Sequence, residues 1–156
     1  MTISRVYLSG GMEYSRDEGR EWRVMMEEWL TEEFGCVVFN PNRESEQLLR
    51  DRYAGVDLRR MKFADPGQFS AILSTIVDID TREIAERSDM VICYWDEAAQ
   101  RGAGTKGELT VARFFRKPVY LVTSLPHPDI PGWILGCVSG IFPDFDELKA
   151  FLRTTR

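Results

Sequence analysis

Residues 90–112 read MVICYWDEAAQRGAGTKGELTVA, which is an apolar run, a glycine-containing loop and then a segment with helical spacing. A continuous apolar run of six residues, bounded by polar ones, is typical of a strand that is buried on both faces. The same order of apolar strand and amphipathic helix recurs along the chain. This alternation predicts an α/β protein, with a parallel sheet covered by helices on both faces.

Four further segments complete the predicted sheet. A helix is expected after each of the first three strands and after the last, whereas the segment at residues 124–140 is rich in proline and glycine and is expected to be loop. The additional strands are expected at residues 3–9, 36–39, 119–122 and 141–142. Five strands in this pattern favour the flavodoxin-like order 2-1-3-4-5 in a single domain over residues 1–156, with a charged helical insertion at about residues 43–70. Ligands of such sheets bind beyond the carboxyl ends of the strands. The working site is therefore expected among residues 10–16, residues 96–105 and the loop from Thr123 onward.

The composition excludes several classes of protein. Hydrophobic residues make up 44% of the 156 residues and charged residues 29%, as in globular rather than disordered proteins. The net charge of −5 gives the chain a field that repels polyanions, so a small-molecule ligand is expected and polymeric nucleic acid is not.

Cysteine and histidine usage argues against a metal site. Cys36, Cys93 and Cys137 are widely spaced, and His127 is the only histidine. This pattern predicts free thiols in a reducing compartment, with no metal and no cofactor. The N-terminal residues lack the apolar core of a signal peptide, and no apolar run approaches the roughly 20 residues of a membrane helix. A cytoplasmic protein without membrane contact is expected.

Asp80 interrupts a row of isoleucines. Ile72, Ile76, Asp80 and Ile84 are four residues apart and share one helical stripe. Burial there would raise the carboxyl pKa, as a general acid requires. The alternative is a rotated helix in which Asp80 faces water. Asp78 lies on another face and serves as a control.

Glu108 follows the glycines Gly102 and Gly104 and has two interpretations. With Thr105 it has the spacing of a capping box, in which the glutamate satisfies a backbone N–H. Alternatively, the glycines let backbone approach a ligand at a helix start that faces the crevice. A glutamate held ionised there can attack an electrophilic carbon.

The first predicted strand brings further candidates. Tyr7 either packs in the core or orients a carboxylate with its hydroxyl, and Ser9, Gly10 and Gly11 form a tight turn whose N–H groups can bind a substrate hydroxyl or phosphate. The arginines that follow alternate with acidic residues, which favours a solvated face over a phosphate clamp. They are Arg16, Arg20 and Arg23.

Three segments together resemble the nucleoside 2-deoxyribosyltransferase family, which includes related hydrolases of the N-glycosidic bond of 5′-nucleotides. They are Val6-Tyr7-Leu8-Ser9-Gly10-Gly11, the segment from Asp80 into Met90-Val91-Ile92, and Gly104-Thr105-Lys106-Gly107-Glu108-Leu109-Thr110-Val111-Ala112. The resemblance covers about residues 3–123 and lies in the order and spacing of these segments at strand ends.

The resemblance implies a flavodoxin-like fold and a retaining displacement at the anomeric carbon. Glu108 stands where the family has its nucleophile, Asp80 where it has the acid that assists the departing base, and Tyr7 where a tyrosine orients the nucleophile. It also implies a nucleoside or nucleotide substrate and a homo-oligomer.

The sequence departs from the family pattern at two places. Gly102 stands where transferases have an aspartate and nucleotide hydrolases a serine, and Asp96 is a candidate to contact the base instead. No residue matches the C-terminal asparagine that transferases lend to a neighbouring subunit. Transfer and hydrolysis therefore both stay open, as do the base and the sugar.

Two other hypotheses compete with this one. A partial match at residues 102–105 favours a phosphoribohydrolase of the lysine-decarboxylase-like type, although the leading proline and paired glycines of that loop are missing. A non-catalytic nucleotide sensor is the other alternative, and the intact set of Tyr7, Asp80 and Glu108 argues against it.

Overall fold

The computed structural model describes residues 3–155 and contains a five-stranded parallel sheet in the order β2-β1-β3-β4-β5. The strands are Arg5–Gly10 (β1), Val37–Phe39 (β2), Met90–Tyr94 (β3), Val119–Val122 (β4) and Gly140–Phe142 (β5). The α/β class and the flavodoxin-like strand order predicted from the sequence are confirmed.

Helices connect every pair of consecutive strands. Those in the described part of the chain are Arg20–Phe34 (α1), Pro41–Tyr53 (α2), Leu58–Ala64 (α3), Pro66–Arg82 (α4), Glu97–Arg101 (α5), Gly104–Phe114 (α6), Gly132–Cys137 (α7) and Phe145–Thr154 (α8). A π-helical turn, Glu83–Arg87, continues α4, and a 3₁₀ turn at His127–Asp129 precedes α7.

Local sequence signals fix several of these boundaries. Gly35 ends α1 with a positive φ of 64°, a conformation that glycine adopts without steric cost. Asn40 accepts a hydrogen bond from the Asn42 N–H and caps α2, with Pro41 in the first turn. Asp65 caps α4 in the same way through the Gln68 N–H.

The sheet separates two apolar layers because side chains alternate along each strand. Val6 and Leu8 of β1 pack with α1 and α8 on one face. Tyr7 belongs to the layer on the other face, which includes Val91 of β3 and Leu109 of α6. The odd-numbered residues of β1 therefore face α6, and this alternation positions the candidate site.

The chain contains more helix than the sequence predicted. The excursion at residues 43–70 is almost wholly helical, and α4 begins at Pro66 rather than near Ser70. Helices α5 and α7 occupy stretches expected to be loop. The α7 helix forms despite its glycines because Ile134 and Cys137 are buried in the core.

The three cysteines are free and buried. None of the described helices combines the length and apolar character needed to cross a membrane.

Candidate active site

Glu108 lies in α6 with its carboxyl group directed at the end of β1. Its Oε1 accepts a hydrogen bond from the Tyr7 hydroxyl at 2.9 Å, and its Oε2 accepts one from the Ser9 hydroxyl. The helix starts at Gly104, and its N-cap, Ala103, has no side-chain cap. The capping-box interpretation is therefore wrong. Glu108 lies beyond the first turn of α6, and its carboxylate accepts hydrogen bonds from β1 rather than from the start of its own helix.

Tyr7 and Ser9 reach the same carboxylate because residues two apart in a strand face the same side. Tyr7 is fully buried and stacks on Phe39 with ring centroids 5.2 Å apart and an interplanar angle of 12°. Burial, reinforced by the charge of Glu108, raises the pKa of Tyr7 well above its usual range. The hydroxyl therefore stays protonated and remains a donor to Glu108.

Asp80 lies in the last turn of α4 and is only 9% exposed. Ile72 and Ile84 of the same stripe are fully buried, so the interpretation that turned Asp80 towards water is wrong. Asp78 is exposed, as expected for the control position. The π-helical turn at residues 83–87 follows immediately, and such turns are frequent at functional sites.

Glu83 anchors this π-helical turn to the sheet. The carboxylate is 3% exposed and pairs with the Arg5 guanidinium of β1, and the Ser88 hydroxyl donates to it at 3.3 Å. The end of α4 is thereby tied to the strand that carries Tyr7 and Ser9, which fixes Asp80 relative to them.

A hydrogen bond with Tyr7 and the charge of Arg23 lower the pKa of both candidate carboxyl groups, but only Glu108 also accepts from Ser9. Burial, with the charge of Glu108 second, raises the pKa of Asp80 to about 8. Burial also raises the pKa of Glu108, but hydrogen bonds from Ser9 and Tyr7 and the charge of Arg23 oppose that rise. Donors that bind a carboxylate favour its ionised form. The environment therefore favours a protonated Asp80 beside an ionised Glu108.

The interpretation of Arg23 as part of a solvated face is wrong, because the side chain is only 1% exposed. It lies three and seven residues before Met26 and Leu30, both fully buried on the inner face of α1. That helical spacing was the signal in the sequence that would have predicted its burial. Arg16 and Arg20, in contrast, are exposed as predicted.

Two of the three loops proposed to bind substrate, residues 10–16 and residues 96–105, lie against each other at this edge of the sheet. A side chain at Gly11 would place its Cβ 2.6 Å from the Ala99 nitrogen, so the loop after β1 packs directly on α5. Gly102 lies near the Tyr14 ring, whereas a Cβ at Gly104 would meet nothing within 4 Å. The Asp96 carboxylate caps α5 by accepting from the Ala99 N–H at 2.9 Å.

No cluster of three or more histidine, cysteine or acidic side chains able to hold a metal occurs among residues 3–155. His127 is exposed in its 3₁₀ turn.

Solved structures share this architecture. A 2-deoxyribosyltransferase from the psychrotolerant bacterium Bacillus psychrosaccharolyticus superposes with a TM-score of 0.61 at 16% identity, over 94% of this chain and 90% of that one. A CMP N-glycosidase from Clostridium botulinum superposes with a TM-score of 0.53 at 16% identity, over 98% of this chain and 100% of that one. A conserved protein from Enterococcus faecalis superposes with a TM-score of 0.56 at 15% identity, over 96% of this chain and 99% of that one.

The chain shares their fold. The match extends over nearly the whole length of each protein, so the fold is common to complete chains and not to a fragment. No family model matches the sequence. No curated protein matches it either.

Proposed function

We propose that this chain is a member of the nucleoside 2-deoxyribosyltransferase family and that it cleaves or transfers the N-glycosidic bond of a nucleoside or nucleotide. The observation that carries the proposal is the partly buried Glu108 carboxylate, which accepts from the hydroxyls of Tyr7 and Ser9 and acts electrostatically on a buried Asp80 whose pKa is raised to about 8. Two carboxyl groups with opposite protonation are the requirement of retaining glycoside chemistry.

In the first step one oxygen of the Glu108 carboxylate attacks the anomeric carbon of the sugar. The bond between that carbon and the base nitrogen breaks, and its electron pair leaves with the base. Asp80 donates its proton to the departing base, so the base leaves neutral. A glycosyl ester on Glu108 and an ionised Asp80 result.

The second step restores the enzyme. Water or a second base attacks the anomeric carbon, the ester bond breaks, and Glu108 regains its charge. Asp80 takes the proton that the attacking group loses. Hydrolysis and transfer thus use the same residues and differ in what attacks the ester.

The likeness in fold to a 2-deoxyribosyltransferase and to a CMP N-glycosidase supports a nucleoside or nucleotide as the substrate. The net charge of −5 favours a small molecule over a polymeric nucleic acid. We assign Gly10, Gly11, Gly102, Gly104 and Asp96 to substrate contact at the loops around the cluster, and no cofactor is required for the two steps.

The proposal is tested by incubating the protein with a panel of nucleosides and 5′-nucleotides and separating free base by chromatography. A second free base in the mixture distinguishes transfer from hydrolysis, since only transfer yields a new nucleoside. Glu108→Ala is expected to abolish turnover and to stay folded, since the change removes two part-buried hydrogen bonds and no packed apolar side chain.

A 2-fluoro-substituted substrate analogue tests the ester directly. We expect the wild-type protein to gain one sugar mass, mapped to the peptide that contains Glu108. A label on Asp80 or Asp96, or full activity in the Glu108→Ala protein, would contradict the mechanism. Release of no base from any nucleoside or nucleotide would favour the sensor hypothesis.

A further inference from the structure

Arg23 is a buried arginine whose hydrogen bonds within residues 3–155 all end on uncharged oxygens. Its Nε donates to the Leu8 carbonyl at 3.2 Å and its Nη2 to the Gly10 carbonyl at 2.9 Å. Its Nη1 donates to the Glu18 and Gly19 carbonyls and to the Asn42 side chain. Burying a charge that has no ion-paired partner is costly, and hydrogen bonds offset only part of that cost.

The two carbonyls bound by Nε and Nη2 lie on either side of Ser9. The pairing of β1 with β2 ends at Tyr7 and Phe39, so Leu8 and Gly10 extend beyond the last residue of β2. The guanidinium binds the backbone at this point. Ser9 is fully buried, and its hydroxyl donates to Glu108.

The loop after β1 is shaped around the same guanidinium. A Cβ at Gly19 would come within 2.4 Å of Nη1, and Gly19 has a positive φ of 70°. The guanidinium also lies over the Trp22 ring, 4.8 Å from its centroid. The arginine is therefore held in one position, because its planar guanidinium uses its N–H donors in several directions at once.

We propose that Arg23 is a positioning residue for Glu108: its guanidinium fixes the backbone on both sides of Ser9 and supplies a buried positive charge that acts on the Glu108 carboxylate. This inference rests on the proposed role of Glu108 as the nucleophile. Arg23 does not touch the substrate; it acts through Ser9 and through its charge.

The other groups around Glu108 leave Arg23 as the source of positive charge. Tyr7 and Cys93, on β1 and β3, are fully buried, and burial raises the pKa of each above its usual range, so both stay neutral. Asp80 on α4 is acidic and opposes ionisation of Glu108. The charge of Arg23 lowers the pKa of both carboxyl groups.

The test compares Arg23→Gln, which removes the charge, with Arg23→Lys, which retains the charge but lacks the planar set of guanidinium donors. In Arg23→Gln we expect the acid limb of kcat/KM to move to higher pH by about one unit, because Glu108 loses a nearby opposite charge. In Arg23→Lys we expect that limb near its wild-type position, with kcat reduced about 10-fold or more and KM little changed, since a point charge does not hold both carbonyls. Arg20→Gln, on the exposed face of α1, is the matched control and should leave the profile unchanged.

An acid limb that does not move in folded Arg23→Gln would overturn the proposal, as would an equal shift in Arg23→Lys. A measurement on the unaltered protein covers the case in which the variants do not fold. The ¹⁵N resonance of Arg23 Nε should titrate with Glu108 in the wild type, and that titration should vanish in Glu108→Gln. A resonance that does not respond to Glu108 would also overturn the proposal. This readout needs no turnover, so it is separate from a failure of the proposed activity.

Discussion

Asp80 shows how one residue takes its chemical character from its surroundings. The α4 helix places it in a stripe whose Ile72 and Ile84 are fully buried, and Glu108 is the acidic group whose charge acts on it most strongly. Desolvation and a like charge both disfavour ionisation, while the donors on Glu108 decide which of the two carboxyl groups keeps the negative charge. Asp78, two residues earlier on the same helix, is exposed to solvent.

Replacement of Asp80 by asparagine is expected to lower kcat about 100-fold or more, because the amide has no acidic proton to donate to the departing base. The wild-type rate should rise as Glu108 ionises and fall as pH increases through about 8, where Asp80 loses its proton. The variant should lack this alkaline limb or show it displaced. The measurement is kcat/KM from pH 5 to 10, with Asp78→Asn as control; an unchanged profile in Asp80→Asn would remove Asp80 from the acid role.

Although Asp80→Asn is expected to lower activity, it is expected to raise the free energy of unfolding at high pH. The pKa of Asp80 is about 8 in the folded state against 3.8 ordinarily, so its favourable contribution is complete below pH 4 and is lost as pH rises to about 8. Asp80→Asn is therefore expected to be more stable than the wild type at pH 9 by about 0.5–2 kcal/mol, and the difference should shrink towards pH 5. Urea denaturation at the two pH values measures it, and a difference that grew towards low pH would contradict the assignment.

At the scale of elements, the α3 helix lies over the loop that follows β1. Arg59 donates from Nη2 to the carbonyls of Met12, Glu13 and Ser15 at 3.2 to 3.4 Å, and Lys62 pairs with the Glu13 carboxylate. One side chain thus ties three backbone carbonyls of a single loop to an exposed helix. The helical insertion at about residues 43–70 is placed to restrain the loop that we assign to substrate contact.

Arg59→Ala is expected to raise KM severalfold with little change in kcat, because the loop loses its restraint while the carboxyl cluster is untouched. Hydrogen exchange should become faster at residues 12–16. Arg60→Ala, also exposed on α3, is the control and should change neither quantity. Slower exchange, or a loss confined to kcat, would show that the insertion does not act through this loop.

At the scale of the whole molecule, aromatic side chains remain on the surface. Phe114 at the end of α6 is 79% exposed and Trp133 of α7 is 71% exposed. The Trp133 indole donates to the Thr110 hydroxyl at 2.9 Å, one helical turn before Phe114, so both rings lie on the same side of the fold. Large exposed aromatics on neighbouring elements are typical of a protein interface.

We expect the protein to form a homo-oligomer through this side, as the family resemblance implies. Sedimentation of the wild type should show a dimer or a larger species, and Phe114→Asp should shift it towards the monomer. Phe63→Asp, on the α3 helix, is the matched control for an exposed phenylalanine. A wild-type protein that sediments as a monomer at all concentrations tested would contradict the prediction.

The sequence by itself determined the sheet. Strands such as residues 90–94 and 119–122 are continuous apolar runs, and the order of strands and helices restricts the topology to a few connections. The four-residue spacing of Asp80 with the isoleucines was readable in the same way, because burial of a helical stripe follows from its period. Helices α5 and α7 were missed because they are short and their glycines and polar residues resemble loop.

Only the tertiary structure decided between the alternatives for Glu108 and Arg23. A capping box and a nucleophile have the same local sequence, and the partners that separate them, Tyr7 and Ser9, lie 101 and 99 residues away in the chain. The acidic residues that alternate with Arg23 suggested a solvated face. In the fold Arg23 instead donates to two carbonyls of β1 beyond the end of β2, and the local sequence pattern does not reveal these acceptors. The sequence determines periodicity and burial along each element, whereas the pairing of polar groups across elements depends on how those elements pack.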